Sequence, residues 1–310
     1  MGHYLELIKG LLKRNYYLAR ISSHLWYFCQ YNKKKLLIVY QMGKVGSSSI
    51  VESLNASDLN LPVLQVHFLS HDAIKEMERR YYGELINIFQ DSLLPETKHL
   101  FLSYYLRQTL DSNHSLPRWK FVTLIRDPLA RSASVFFYSV DTPKKVPYLP
   151  DFYKHYQDQT VTIDMLIQRF QEVLIEDPDE FQLPLHYFDR ELGPVTGIDV
   201  YAREFPKQQG YSIYHGEHTD LLLIKLELMR DCAKEAFREF LGLQDFQLVN
   251  ANLASQKRYY PIYIEFLKSI KLPQSYLDTI YNSKYMRHFY TENEIESFWR
   301  RWIQQSAPSF

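Results

Sequence analysis

One stretch near the start of the chain combines a flexible turn, a positive charge and a cluster of hydroxyl groups. It follows an unbroken apolar run over residues 36–40, and its members are Gly43, Lys44, Val45, Gly46, Ser47, Ser48 and Ser49. Glycines let a backbone turn sharply close to a ligand, and a helix beginning at the serines would direct unpaired N–H groups at an anion. Lys44 adds a full charge, so the stretch predicts an anion-binding loop between a strand and a helix.

Two more segments carry reactive side chains where predicted strands end. His67 follows the short apolar segment 62–66, and Arg126 follows the β-forming segment 119–125, with Ser134 eight residues further on. An arginine can make two parallel hydrogen bonds to a phosphate, and a histidine can accept a proton near neutral pH. Because ligands of open parallel sheets bind at the carboxyl ends of strands, we expect these segments to converge on one crevice.

The position of Lys44 argues against a nucleoside-triphosphatase loop. In that motif the lysine follows the second glycine and precedes a serine or threonine, whereas here it follows the first glycine. No pair of carboxylates stands out as a magnesium site. His71 lies four residues after His67, but His67 is predicted at a strand end, so no metal site is expected. A nucleotide kinase or triphosphatase and a non-catalytic nucleotide-binding protein remain alternatives.

Strands that alternate with helices predict an α/β fold, a single domain with a central parallel sheet flanked by helices. Residues 35–310 are assigned to this domain and residues 1–34 to a helical extension packed on it. Residues 141–160 are predicted as a surface loop and residues 176–219 as an irregular stretch that could hold short strands. Strands are predicted at 36–40, 62–67, 119–125 and 221–224. Helices are predicted at 48–55, within 70–113, from 128 through 137, and at 163–174, 229–241, 261–271 and 274–303.

The composition excludes several classes of protein. The 310 residues contain 36 Lys and Arg and 36 Asp and Glu, so bulk nucleic-acid binding is not expected. The two cysteines are too few for a disulfide scaffold, which favours a reduced, cytoplasmic compartment. No apolar run approaches the ~20 residues of a transmembrane helix. The sequence does not predict an oligomeric state.

Taken together, these segments resemble the sulfotransferases that use 3′-phosphoadenosine 5′-phosphosulfate (PAPS), over about residues 35–300 of the chain. The 43–49 loop is similar to their 5′-phosphosulfate loop, and Arg126 with Ser134 to their 3′-phosphate motif. The resemblance is closer to carbohydrate sulfotransferases and to the bacterial family labelled putative capsular polysaccharide synthesis proteins. In that second group, three further stretches also look similar: residues 67–71, 223–227 and 281–285.

The resemblance implies a P-loop-like sulfotransferase fold and a role for each matching residue. Lys44 would contact the 5′-phosphate and the bridging oxygen, while the 43–49 loop with its serines would cradle that phosphate. Arg126 and Ser134 would bind the 3′-phosphate, His67 would act as general base, and Lys257 would close over the donor. PAPS would be the donor and a hydroxyl, most plausibly on a glycan, the acceptor. No metal would be required, because the donor is already activated.

Overall fold

A five-stranded sheet forms the centre of the computed structural model, which describes residues 16–32, 34–82, 97–112, 118–141, 158, 160–249 and 254–303. The strand order across the sheet is β2-β1-β3-β5-β4. The strands are β1 (Leu37–Tyr40), β2 (Val63–Val66), β3 (Trp119–Ile125), β4 (Tyr211–His215) and β5 (Thr219–Lys225). Strand β1 is buried along its whole length because helices cover both faces of the sheet, which explains its continuous apolar run.

The sheet is mostly parallel, as predicted, with one exception at its edge. β1 pairs in parallel with β2 and β3, and β3 pairs in parallel with β5 over all seven residues. β4, a strand that was not individually predicted, runs antiparallel to β5. Only residues 216–218 separate the two strands, a connection too short for the crossover that a parallel pair needs.

The helices follow the predicted alternation closely in the first half of the chain. Longer helices are α1 (Tyr16–Tyr31), α2 (Ser47–Asn55), α3 (His71–Tyr82), α4 (Thr97–Ser112), α5 (Pro128–Asp141), α6 (Ile163–Glu176) and α10 (Met229–Leu241). Shorter ones are α7 (Pro178–Phe181), α8 (Leu183–Tyr187) and α9 (Gly193–Thr196). The C-terminal helices are α11 (Tyr260–Ser269), α12 (Gln274–Tyr281), α13 (Lys284–Phe289) and α14 (Glu292–Ile303).

The stretch 176–219 differs most from its predicted irregular structure. Besides β4 it holds α7, α8, α9 and a π-helical turn at Phe188–Leu192. A proline stands in the first turn of each of the three short helices, where its missing N–H costs nothing. The prolines therefore start helices that the sequence pattern led us to expect as loop. The predicted loop 141–160 lies almost entirely outside the described residues.

The strand order changes direction between β1 and β3. The chain moves from β1 to β2 on one side, then returns to place β3 on the other side of β1. The loops that follow β1 and β3 therefore diverge at their carboxyl ends, the position where open α/β sheets bind ligands. The 43–49 loop and Arg126 are the segments that lie there.

Helix α1 packs at the β2 side of the domain through one face. Tyr16 and Ala19 are buried in a small apolar cluster with Ile74 of α3 and Phe101 of α4. The Tyr16 hydroxyl also donates a hydrogen bond to Glu78. Residues 1–15 lie outside the described part of the chain, so the division into an extension and a domain stays a prediction. None of the described helices is both long enough and apolar enough to cross a membrane.

Candidate functional site

The 43–49 loop depends on left-handed backbone at two positions. Lys44 has a φ of 69° and Gly46 a φ of 85°, and Gly46 is the N-cap of α2. A Cβ atom on Gly46 would lie 2.5 Å from Cδ1 of Leu226, so glycine is needed there for both conformation and space. Gly43 has neither restriction, because no atom lies within 4 Å of a Cβ built on it. The open side of the loop is therefore at Gly43, where a ligand could approach the backbone.

Two arginines tie this loop to the segment after β3. Arg126 donates from Nη1 to the carbonyl oxygen of Lys44 at 2.9 Å, and Arg131 donates from Nε to the carbonyl oxygen of Gly43 at 3.0 Å. Arg131 is almost fully buried and is also paired with Glu180 at 2.5 Å. These contacts join two of the predicted site segments, which are 82 residues apart in the chain at Lys44 and Arg126.

Helix α2 begins with groups suited to bind an anion. Its N-cap Gly46 makes no side-chain cap, and its first turn holds no acidic residue. The buried Ser47 hydroxyl accepts hydrogen bonds from Nε2 of Gln41 and of Gln65, each at 2.8 Å. A hydroxyl that accepts two amide N–H groups keeps its own proton for donation. In this first turn the N–H of Ser49 already donates to the carbonyl oxygen of Gly46 at 3.2 Å. The N–H groups of Ser47 and Ser48 and the Ser47 hydroxyl can act on the same anion.

His67 lies directly after β2 with Nδ1 facing Gln41. Its Nδ1 is 3.1 Å from the backbone carbonyl oxygen of Gln41, an acceptor, and 3.2 Å from Nε2 of the Gln41 side chain, a donor. The tautomer with the proton on Nδ1 donates to that carbonyl oxygen and leaves on Nε2 the lone pair that a general base needs. The His67 ring also lies 5.5 Å from that of His99 on α4.

The environment of His67 favours its neutral form. Burial lowers the pKa of His67 from its ordinary value of 6.5 to about 4, and the positive fields of His99, Arg131 and Lys44 act in the same direction. The hydrogen bond to Gln41 partly opposes this shift. His67 is thus neutral at pH 7, and Lys44 of the 43–49 loop is among the charges that lower its pKa.

The backbone at the end of β3 is held by residues from the C-terminal part of the chain. The Tyr285 hydroxyl donates to the carbonyl oxygen of Arg126 at 3.0 Å and accepts from its N–H at 3.1 Å. Tyr281 donates to Oδ1 of Asp127 at 3.0 Å, and Glu227 accepts from the Asp127 N–H at 2.8 Å. Arg126 itself is half-buried, and within the described residues only one of its guanidinium N–H groups has a protein acceptor. Its remaining donors are available to a ligand.

Helix α5 contains Ser134 and also contacts Lys44. The Lys44 ammonium lies 3.2 Å from the ring centroid of Tyr138, which is one turn beyond Ser134 on α5. Residues four apart share a helix face, so Ser134 is placed toward the loop. Its side chain is half-buried, and in the described part of the chain its hydroxyl has no hydrogen-bond partner. The structure therefore brings Lys44, Arg126 and Ser134 to one side of the sheet edge.

Lys257 is not joined to this group. It is half-buried in the turn before α11, where its carbonyl oxygen accepts from the N–H of Tyr260 at 3.0 Å. The neighbouring Tyr259 packs on Phe137 of α5, with ring centroids 5.7 Å apart. Among the described contacts, none links Lys257 to Lys44, Arg126 or Ser134. Its role over the donor stays a prediction.

Glu191 is a site residue that the sequence analysis missed. This buried carboxylate lies in the π-helical turn and accepts from the backbone N–H groups of Leu69 and Ser70 at 2.5 and 2.9 Å, and from the Ser70 hydroxyl. It also accepts from the Tyr40 hydroxyl at 2.5 Å. It thereby fixes the loop that follows His67, and nothing in its local sequence distinguishes it from a surface acid. Gln41 and Arg131 were missed for the same reason, since their roles depend on distant partners.

No group of three or more His, Cys, Asp and Glu side chains within the described ranges is arranged to hold a metal ion.

Comparison with known proteins gives one match. Residues 156–291 match the family described as "Putative capsular polysaccharide synthesis protein". No curated protein and no solved structure matches the chain. The resemblance to this capsular polysaccharide family is thus confirmed over that stretch, while the resemblance to sulfotransferases stays a prediction.

Apart from Lys257, the matched stretch contains residues that support the site rather than its predicted ligand contacts. It contains Glu191, Glu227, Tyr281 and Tyr285, which hold the loop after β2 and the end of β3. The 43–49 loop, His67, Arg126 and Ser134 all precede it.

Proposed function

We propose that this protein transfers a sulfuryl group from PAPS to a hydroxyl group of a carbohydrate. One observation carries the proposal: the open N-terminus of α2 and the end of β3 are joined by the hydrogen bond from Arg126 to Lys44, with His67 at the neighbouring strand end. Two anion-binding segments side by side suit a donor with two separate phosphate groups. A nucleoside triphosphate would need only one anion-binding segment, because its phosphates form a single chain.

The residues present fit such a donor. The uncapped first turn of α2, the Ser47 hydroxyl and the open space at Gly43 suit the 5′-phosphosulfate. The unoccupied guanidinium donors of Arg126, with Ser134 on α5, suit the 3′-phosphate. PAPS would supply the activated sulfuryl group. The protein would have to bind the donor, accept the proton of the hydroxyl group and stabilise the leaving phosphate oxygen.

The reaction requires a base and a positive charge, and the site has both. As the acceptor oxygen forms its bond to sulfur, its proton passes to Nε2 of His67, and the bond from sulfur to the phosphate oxygen breaks. The Lys44 ammonium stabilises the negative charge that develops on this leaving oxygen. A positioned base of this kind contributes roughly 10²–10⁴-fold to the rate.

The family match supports a carbohydrate as the acceptor. The stretch 156–291 is similar to proteins assigned to capsular polysaccharide synthesis. A polysaccharide offers many hydroxyl groups, which are poor nucleophiles and need a base such as a neutral histidine.

A ligand-stabilisation experiment tests the proposal. Adenosine 3′,5′-bisphosphate, the product left after transfer, is expected to raise the melting temperature without magnesium. Transfer of labelled sulfate from PAPS to capsular-type polysaccharides would then demonstrate the reaction. Stabilisation by magnesium-ATP and none by the bisphosphate would instead identify a kinase or triphosphatase. Binding of the bisphosphate without transfer to any glycan, lipid or phenol would identify a non-catalytic protein.

A further inference from the structure

The face of α1 that points away from the domain is unusually apolar. Its side chains are largely exposed: Leu18 at 45%, Ile21 at 57%, Leu25 at 58% and Phe28 at 48%. We call these four residues the outer face. They follow one another at helical spacing, so they form one stripe rather than scattered contacts. Trp26, beside the stripe, is 53% exposed.

The charged residues in the sequence around this helix are all basic. Residues 7–35 contain no Asp or Glu, although acidic and basic residues balance over the whole chain. The basic residues of this segment are Lys9, Lys13, Arg14, Arg20, Lys33, Lys34 and Lys35. Lys34 and Lys35, which follow α1 directly, are exposed. Arg20 differs, because it turns inward to Glu78 and Tyr104.

We propose that the outer face of α1 binds the surface of an anionic lipid bilayer. An apolar helix face with an aromatic residue at its border and lysines at its end is the arrangement that lies in a membrane interface. The negative surface of such a bilayer attracts the basic segment. A second copy of the chain is a poorer partner, because a two-fold contact through this face would bring two basic segments together.

The position of α1 would hold the candidate site close to the lipid surface. Its first residue, Tyr16, lies against Phe101 of α4, with ring centroids 5.4 Å apart. Phe101 is two residues after His99, whose ring lies beside His67. Tyr27, nearer the end of α1, lies against Tyr105 at 5.6 Å, so α1 and α4 run in the same direction. The amino end of the outer face is therefore the end nearest the crevice.

Vesicle co-sedimentation of the full chain tests the proposal. Wild type is expected to bind mixed phosphatidylcholine and phosphatidylglycerol vesicles more tightly than pure phosphatidylcholine vesicles. Leu25→Glu should weaken binding by about tenfold or more, since it places a charge in the buried face. The matched control is Ile175→Glu on α6, where the side chain is 77% exposed, and it should bind like wild type. Lys34→Gln with Lys35→Gln should weaken binding to the anionic vesicles only.

Tryptophan fluorescence identifies the surface that makes the contact. Of the four tryptophans, Trp119 and Trp302 are buried, Trp299 is half-buried and donates to Asp278, and Trp26 is exposed. Anionic vesicles should shift the emission to the blue, and Trp26→Phe should remove most of the shift while binding persists.

Three results would overturn the proposal. One is a wild-type protein that does not bind anionic vesicles. Another is equal binding by wild type and Leu25→Glu, with the variant's melting temperature unchanged. The third is a lipid-free dimer that Leu25→Glu dissociates, which would assign the face to a second copy. None of these results bears on the sulfotransfer experiment, because they are read without donor or acceptor.

Discussion

At the scale of single residues, the candidate site places two positively charged side chains, Lys44 and Arg126, on adjoining segments. Lys44 and Arg126 are linked through the Lys44 carbonyl, so the loop and the strand end are positioned together. The lysine has left-handed backbone, an uncommon conformation for a residue with a side chain, and such positions tend to occur at functional sites. His67 adds a neutral base within the same field.

Removing either cation should weaken binding of adenosine 3′,5′-bisphosphate. Lys44→Ala and Arg126→Ala should each cost about 1.5–3 kcal/mol of binding free energy, the range for a lost hydrogen bond to a charged group. Isothermal titration calorimetry measures this loss. Lys268→Ala, at an exposed position of α11, is the control and should bind like wild type. Unchanged affinity in both site variants would refute the assignment of the two segments.

His67 should show a pH dependence with a defined sign. Its pKa is lowered from 6.5 to about 4 in the folded protein, so between these values the unfolded chain binds a proton that the folded chain does not. The stability associated with neutral His67 is therefore present above pH 6.5 and is lost as the pH falls toward 4. Histidine proton resonances followed by NMR should show this low pKa, and the negatively charged bisphosphate should raise it.

The His67→Gln variant separates catalysis from binding. It should lose less stability than wild type between pH 6.5 and 4, because the titrating group is gone. It should keep nearly the wild-type affinity for the bisphosphate, while turnover falls by roughly 10²-fold or more. Turnover equal to that of wild type would show that His67 is not the base.

At the scale of elements, the turn between β1 and α2 decides whether an anion cradle forms. The two glycines of this turn differ: Gly46 has left-handed backbone and no room for a Cβ, whereas no atom of the described residues lies within 4 Å of a Cβ built on Gly43. Their spacing alone suggests equivalent roles. The packing of Leu226, at the turn between β5 and α10, makes them different.

Alanine substitutions at the two glycines should separate conformation from access. Gly46→Ala should lower the free energy of unfolding by about 1–2 kcal/mol or more, through left-handed strain and the clash with Leu226. Gly43→Ala should leave stability nearly unchanged, since nothing lies within 4 Å of the added methyl group. Urea unfolding midpoints measure both. Equal destabilisation by the two changes would contradict the difference between them.

At the scale of the whole molecule, the C-terminal part of the chain supports a site built mainly by the N-terminal part. Tyr285 is 159 residues from Arg126 in the chain and makes two hydrogen bonds to its backbone. Glu227 and Tyr281 hold Asp127 next to it. The family match lies in the supporting part, 156–291, so the two parts are linked by contacts across the domain.

A pair of tyrosine variants tests this support. Tyr285→Phe should reduce stability by about 1–3 kcal/mol, because it leaves a buried N–H and a buried carbonyl of Arg126 without their partner. It should also weaken binding of the bisphosphate by displacing Arg126. Tyr276→Phe is the matched control, since the Tyr276 hydroxyl is buried and has no hydrogen-bond partner among the described residues. Denaturation and calorimetry on both variants should show a loss only for Tyr285→Phe.

The central strands and the first half of the site could be predicted from the sequence because their signals are local. The unbroken apolar runs at 36–40 and 119–125 predict buried strands, and both form, as Leu37–Tyr40 and Trp119–Ile125. The serines after Gly46 likewise predict a helix start, and the helix forms as Ser47–Asn55. Each signal lies within a few residues of the structure that it specifies.

Only the tertiary structure decided which distant residues contact each other. A hydrogen bond between two segments produces no recognisable pattern in the sequence of either segment. The backbone carbonyl of Gln41, the carboxylate of Glu191 and the hydroxyl of Tyr285 look ordinary in the sequence, and their roles come from partners 26 to 159 residues away. The antiparallel direction of β4 and the exposure of the outer face also depended on how the chain packs. By itself the sequence determined β1, β2, β3 and β5, a loop whose residue types predict anion binding, and a basic N-terminal segment. The tertiary structure decided that the loop, Arg126 and His67 follow neighbouring strands at their carboxyl ends, since this convergence depends on strand order and not on local composition.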